Sequence, residues 1–130
     1  MKQRGVTLLG VISTLVVFGI VASTLFVHSS TKLAAKREMS VKSDLIGIEK
    51  AISFYRYHNR ALPQDLTALV ERPADAKNWK GPYLESISDP WGNNYQYSAP
   101  GSGSKDYDLW SWGSDGVAGG VGGAADIGVN

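Results

Sequence analysis

An apolar run from Val6 to Val27, 22 residues without a charged side chain, constrains this chain more than any other feature. At the α-helical rise about 20 such residues cross the hydrocarbon core of a bilayer, so a membrane span is expected over residues 6–28. Lys2 and Arg4 precede the run, and the next charged residue is Lys32. That basic flank favours a cytoplasmic N terminus, with the rest of the chain exported. A cleavable secretory signal has an apolar region of roughly 7–15 residues followed by a small-residue cleavage site. The run here is longer, and the candidate site at Ala34 and Ala35 lies inside a charged, helix-favouring stretch, so the spacing favours a retained anchor.

What remains for a folded domain is small. The chain has 130 residues, and the apolar run takes a large share of its hydrophobic ones. With no cysteine, neither disulfides nor a zinc-thiolate site can staple that domain. The chain's 13 basic and 12 acidic residues nearly balance and are mixed along the sequence, which leaves no electrostatic footprint for nucleic acid.

Beyond the run, Ala34, Arg37, Val41, Leu45, Ile48, Ile52 and Tyr55 recur at steps of three and four, a helical stripe that is apolar at all but Arg37. Glu38 and Lys42, four apart, support the solvated side. No proline precedes Pro63, so one helix from Val6 to His58 is expected, on the order of 80 Å long. An anchor followed by a separate short helix fits the periodicity equally well.

Asn59 then offers a left-handed stop, Leu62-Pro63 turns the chain, and Gln64–Val70 reads as about two helical turns, with Leu62, Leu66, Leu69 and Val70 free to pack on the long helix. Pro73–Pro82 is a loop carrying Trp79. Trp79 and Tyr83 read as core or subunit-contact aromatics, because no ligand-binding constellation accompanies them. Asp89-Pro90-Trp91-Gly92-Asn93 has turn residues at turn positions. Tyr95 and Tyr97 alternate, as do Tyr107, Leu109 and Ser111 against Asp108, Trp110 and Trp112, giving two strands of a β-hairpin around the loop Ala99–Asp106. The fold class is therefore α+β, a long helix packed on a short helix and a small antiparallel sheet.

The closing stretch GSDGVAGGVGGAADIG has two readings. Seven glycines between Gly113 and Gly128 with little apolar mass describe a flexible tail. Glycine is also what a backbone needs when its carbonyls must converge on one ion, and Asp115 and Asp126 flank the cluster. The pattern is not that of an EF-hand, whose intermediate acidic positions are missing. Catalysis finds no support. The two histidines, His28 and His58, lack a nucleophile partner, and the glycine cluster lacks the Lys-Ser/Thr and helix of a phosphate-binding loop.

Lys2-Gln3-Arg4-Gly5 followed by VTLLGVISTLVV resembles the leader and mature start of a type IV prepilin-like protein. LIGIEKAISFYRYHNRALPQDLTALVERP, GPYLESISDPWGNNYQY and YDLWSWGSDGVAGGVGGAADIG resemble, in that order, the major pseudopilin family of type II secretion systems. The resemblance covers nearly the whole chain. It implies a pilin-like fold, with a leader 1–5 cut after Gly5 by a prepilin peptidase so that Val6, methylated at its nitrogen, begins the mature chain. It implies a filament-core helix 6–28 and a periplasmic domain 29–130. The implied function is that of a structural, non-enzymatic subunit of a secretion pseudopilus, single-pass in the bacterial inner membrane. Its implied partners are other pseudopilins, an inner-membrane assembly platform and a cytoplasmic ATPase.

The resemblance also implies that the loop 112–128 binds one Ca²⁺ through the carboxylates of Asp115 and Asp126 and the carbonyls of Trp112 and Val117. Val117, Ala118 and Val121 supply none of the extra acidic groups found in many relatives, which points to weak affinity. Two positions depart from the family pattern: Val6, where an aromatic is usual, and Gly10, where a glutamate is usual. That glutamate is the expected partner of a neighbour's N-terminal ammonium inside the filament, and a buried ammonium without one is costly. A subunit of a true pilus or DNA-uptake system, or an anchored calcium-binding domain that never polymerises, are the competing readings.

Overall fold

A computed structural model describes the backbone of residues 8–128 and the side chains of residues 10–21 and 32–128. The chain divides into two compact units, Met1–Lys36 and Arg37–Asn130, and one helix, α1 (Leu8–Asn59, 52 residues), runs through both. Neither Gly19 nor Gly47 interrupts it, so the single-helix expectation holds over the described residues.

In the first unit Val11, Ile12, Leu15, Val16, Val17 and Phe18 are exposed on α1. The hydroxyls of Ser13 and Thr14 donate back to the Gly10 carbonyl, at 3.0 and 2.5 Å, so the polar groups of this apolar stretch satisfy themselves on their own backbone. Among the described residues no helix is long and apolar enough to cross a membrane. Val6, Thr7 and the side chains of 22–31, which complete the expected span, lie outside the described residues, as do the leader 1–5 and the cut between Gly5 and Val6.

The second unit is built on the C-terminal part of α1. Val41, Leu45, Ile48, Ala51, Ile52 and Tyr55 form its buried stripe. Ala34 and Arg37, expected to extend it, are exposed, because the residues that cover the stripe reach only as far as Val41. The helix also ends one residue later than expected. Asn59 remains helical, its side-chain Nδ2 donating to the Tyr55 carbonyl at 3.1 Å, and the left-handed residue is Arg60 (φ 60°), whose N–H closes on the Arg56 carbonyl at 2.8 Å. An arginine there costs roughly 1–2 kcal/mol that glycine would not.

The expected two helical turns after Pro63 shrink to one 3₁₀ turn over Leu66–Leu69. Asp65 caps it, accepting from the amides of Thr67 (2.9 Å) and Ala68 (3.3 Å) and from the Thr67 hydroxyl; these bonds, the hydroxyl's foremost, hold its carboxyl below the usual range. Leu66 and Leu69 are buried as expected, and the Leu69 carbonyl receives the amides of Tyr83 and Leu84 at 2.7 and 3.2 Å. Trp79 is a packing residue: its indole N–H donates to the Ala68 carbonyl at 2.8 Å and its ring meets Tyr83 edge-on at 5.7 Å.

The hairpin forms as β1 (Gln96–Ser98) and β2 (Asp108–Ser111), antiparallel with Tyr97 opposite Leu109 and Gln96 opposite Trp110. A third strand, β3 (Ile127–Gly128), adds antiparallel to β2, placing Ile127 opposite Ser111; the sheet order is β1-β2-β3. The register puts Tyr97, Leu109, Ser111 and Ile127 on the core face and Gln96, Trp110 and Gly128 on the other.

Tyrosines join the sheet to the rest of the unit. The Tyr95 hydroxyl donates to Asp44 on α1 at 2.9 Å, and the Tyr97 hydroxyl to the Pro63 carbonyl at 3.0 Å. Burial pushes both phenols up, Tyr97 to about 12, and the Asp44 carboxylate adds to the effect at Tyr95. An acid whose folded pKa is raised contributes stability below its unfolded pKa, about 10 for tyrosine, and loses it as pH climbs through the folded value. The urea midpoint should therefore hold from pH 8 to about 10 and fall between roughly 10 and 12. Tyr97→Phe should lessen that fall and leave the share that Tyr95 contributes; an equal slope in the variant would exclude Tyr97 as one of its sources.

Candidate functional site

The loop 112–128 leaves β2 and returns as β3, so the sheet fixes both of its ends. It is folded, which decides against the flexible-tail reading. Two 3₁₀ turns, Gly113–Asp115 and Gly122–Ala124, pack on each other within it. Glycine is required at the contact points. Gly113 (φ 70°) lies so close to the returning chain that a Cβ would sit 2.7 Å from the Ala125 carbonyl oxygen, and a Cβ on Gly120 (φ 89°) would overlap the Ala124 carbonyl. Both also hold backbone angles that side-chain-bearing residues rarely adopt.

Each residue expected to hold an ion lies on this loop. Trp112 is half-buried at the start of the first turn, and Asp115, Val117 and Asp126 are exposed. Asp115 Oδ1 accepts the Val117 amide at 3.2 Å, a local turn. Asp126 Oδ2 reaches back across the glycines to accept the Gly119 amide at 3.0 Å. The Val117 carbonyl accepts no hydrogen bond from the described residues. Two carboxylates and free carbonyls make an oxygen-only donor set, which suits a hard cation such as Ca²⁺ rather than a metal that prefers nitrogen or sulfur. No group of three or more His, Cys, Asp or Glu side chains that could hold a metal exists among the described residues. An ion in this loop would therefore rely on backbone oxygens for most of its shell.

The sequence reading missed what braces the loop. Asp89, in the Asp-Pro-Trp-Gly-Asn turn, accepts the amides of Trp91 (3.0 Å) and Asn93 (2.9 Å) on Oδ1 and the Ser111 hydroxyl (2.7 Å) on Oδ2. Asn93 Nδ2 donates to the Gly113 carbonyl at 3.3 Å, and Gly116 packs against the same amide. The polar turn DPWGN upstream of SWGSDG was the available signal, but only the fold brings the two together. His58, the one histidine whose side chain is described, is occupied structurally: its Nδ1 lies 3.0 Å from the Tyr83 hydroxyl, which accepts the Lys80 amide.

Comparison with known proteins places these elements in a wider set. The family described as type II secretion system (T2SS), protein G matches residues 29–130. The type II secretion system core protein G of Pseudomonas aeruginosa is 38% identical over 135 residues, covering 98% of this chain and 94% of that protein. Its counterpart in Vibrio cholerae is 36% identical, covering 98% and 91%. Among solved structures, that of the major pseudopilin from the type 2 secretion system of enterohaemorrhagic Escherichia coli is similar with a TM-score of 0.63 and 33% identity, covering 76% of this chain and 90% of that one.

Proposed function

The chain belongs to the type II secretion system protein G family, and from that membership we infer that it is a structural subunit of a secretion pseudopilus, the filament that helps drive folded proteins across the outer membrane. Similarity to core protein G over 98% of the chain carries this reading and favours it over a pilus, DNA-uptake or non-polymerising role. The geometry is consistent with assembly. Met39, Ile46, Phe54 and Tyr57 are 52–73% exposed on the side of α1 away from its buried stripe, so the helix has a second apolar face left for neighbouring subunits.

The finer assignments extend the same proposal. A prepilin peptidase cuts after Gly5, and Val6 becomes the methylated N terminus. Residues 6–28 anchor the subunit in the inner membrane until a platform passes it into the filament, with the domain in the periplasm. A chain carrying two cysteines on opposite sides of the helix, Val16→Cys together with Phe18→Cys, in this otherwise cysteine-free sequence should crosslink into ladders whose subunits begin, by intact mass, at Val6. Dimers at most would refute the filament reading, and retained leader residues would refute the processing.

For the loop, we propose one Ca²⁺ held by Asp115, Asp126 and the carbonyls of Trp112 and Val117; when bound, the cation would tie the two turns together. An ion that binds only the folded state stabilises it by about 2.7 kcal/mol at 100 times its Kd. Calcium at millimolar concentration should raise the melting temperature, chelator should lower it, and Asp126→Ala should abolish both shifts. A melting temperature indifferent to chelator would refute the site.

A further inference from the structure

Ser111 is fully buried and Asp89 is 6% exposed, the two buried polar side chains among the described residues, and they bond to each other. No cation pairs with Asp89 among the described residues; its charge is met by two turn amides and one hydroxyl. A serine hydroxyl has a single proton. Because that proton is given to Asp89 Oδ2 at 2.7 Å, the Ser111 oxygen faces its other neighbour as an acceptor, and it takes the Gly113 N–H at 3.1 Å. The Gly113 N–H and the Trp112 C=O belong to one peptide unit, which is planar and trans, so the two groups point in opposite directions. Holding the N–H on Ser111 therefore fixes the direction of the Trp112 carbonyl. The next carbonyl, that of Gly113, is held separately by Asn93 Nδ2.

We propose that Asp89 and Ser111 are positioning residues that aim the Trp112 carbonyl toward the ion of the glycine-rich loop, an inference that rests on the calcium reading above. The carboxylate selects which way the serine proton points, the serine oxygen selects which way the peptide faces, and neither side chain touches the ion. Removing the hydroxyl would let the Trp112–Gly113 peptide rotate, without altering Asp115 or Asp126.

The test is calcium titration of the full-length chain in detergent by isothermal calorimetry. Ser111→Ala should weaken the calcium Kd at least tenfold, and Asp89→Asn, which retains the oxygen facing the turn amides, should weaken it severalfold. Tyr97→Phe, which loses a hydrogen bond to Pro63 on another part of the unit, controls for general destabilisation: it should lower the melting temperature and leave the Kd within twofold. A Ser111→Ala Kd within twofold of the unmodified chain would overturn the proposal. If the unmodified chain binds no calcium, the ion reading falls and the aim of the carbonyl with it. Amide exchange at Gly113 then judges the brace alone: at least tenfold faster exchange in Ser111→Ala shows that it holds the peptide, and unchanged exchange removes it too.

Discussion

Leu69→Ala is expected to cost about 2–5 kcal/mol, a large part of the roughly 5–15 kcal/mol that a domain of this size holds in reserve. Leu69 is fully buried and lies in a core of modest extent, with α1 contributing Val41, Leu45, Ile48, Ala51, Ile52 and Tyr55, β2 contributing Leu109, and Tyr95 coming from just before β1. No disulfide offsets a cavity there. The backbone at Leu69 is equally committed, since its carbonyl takes two amides from the loop that carries Tyr83, so the site cannot easily collapse around a smaller side chain. Urea unfolding of the full-length chain should show a lower midpoint with an unchanged slope, the signature of lost stability rather than a changed transition. A loss under about 1 kcal/mol would mean that the surroundings relax into the space.

Gly10→Glu is expected to raise self-assembly of the chain produced alone by at least tenfold, read as crosslinked or sheared oligomers at equal expression. The argument is electrostatic. An N-terminal ammonium packed into a bundle of apolar helices costs several kcal/mol unless a carboxylate meets it. Gly10 supplies none, its carbonyl is already occupied by the hydroxyls of Ser13 and Thr14, and the first acidic residue is Glu38, roughly 40 Å further along a helix. The unmodified subunit should therefore enter filaments chiefly beside a pseudopilin that has the glutamate usual at this position. Efficient homopolymer from the unmodified chain, with no gain from the added carboxylate, would refute this.

Much of the fold was legible because the signals were local and periodic. The four-three spacing from Val41 to Tyr55 marks a buried helical stripe, and the alternation around Tyr97 and Leu109 marks paired strands, whatever the rest of the chain does. What escaped was decided by distant contacts. β3 has one apolar residue, Ile127, too little to announce a strand; it exists because β2 presents an edge to it. Arg60 takes the left-handed position that Asn59 was expected to fill, because the Asn59 side-chain amide is used on the last turn of α1. For the loop, glycine content alone could not separate a tail from a folded loop, and the difference lies in Asp89 and Ser111, 22 residues apart.

The sheet has one further consequence. Its two edge strands run for only three residues in β1 and two in β3, too short to template the addition of a foreign strand. A subunit that must polymerise has strong reason to avoid the open-ended stacking of strands that leads to amyloid. With its edges this brief, the domain leaves the exposed apolar face of its helix, rather than an open strand, as the surface on which neighbouring subunits can pack.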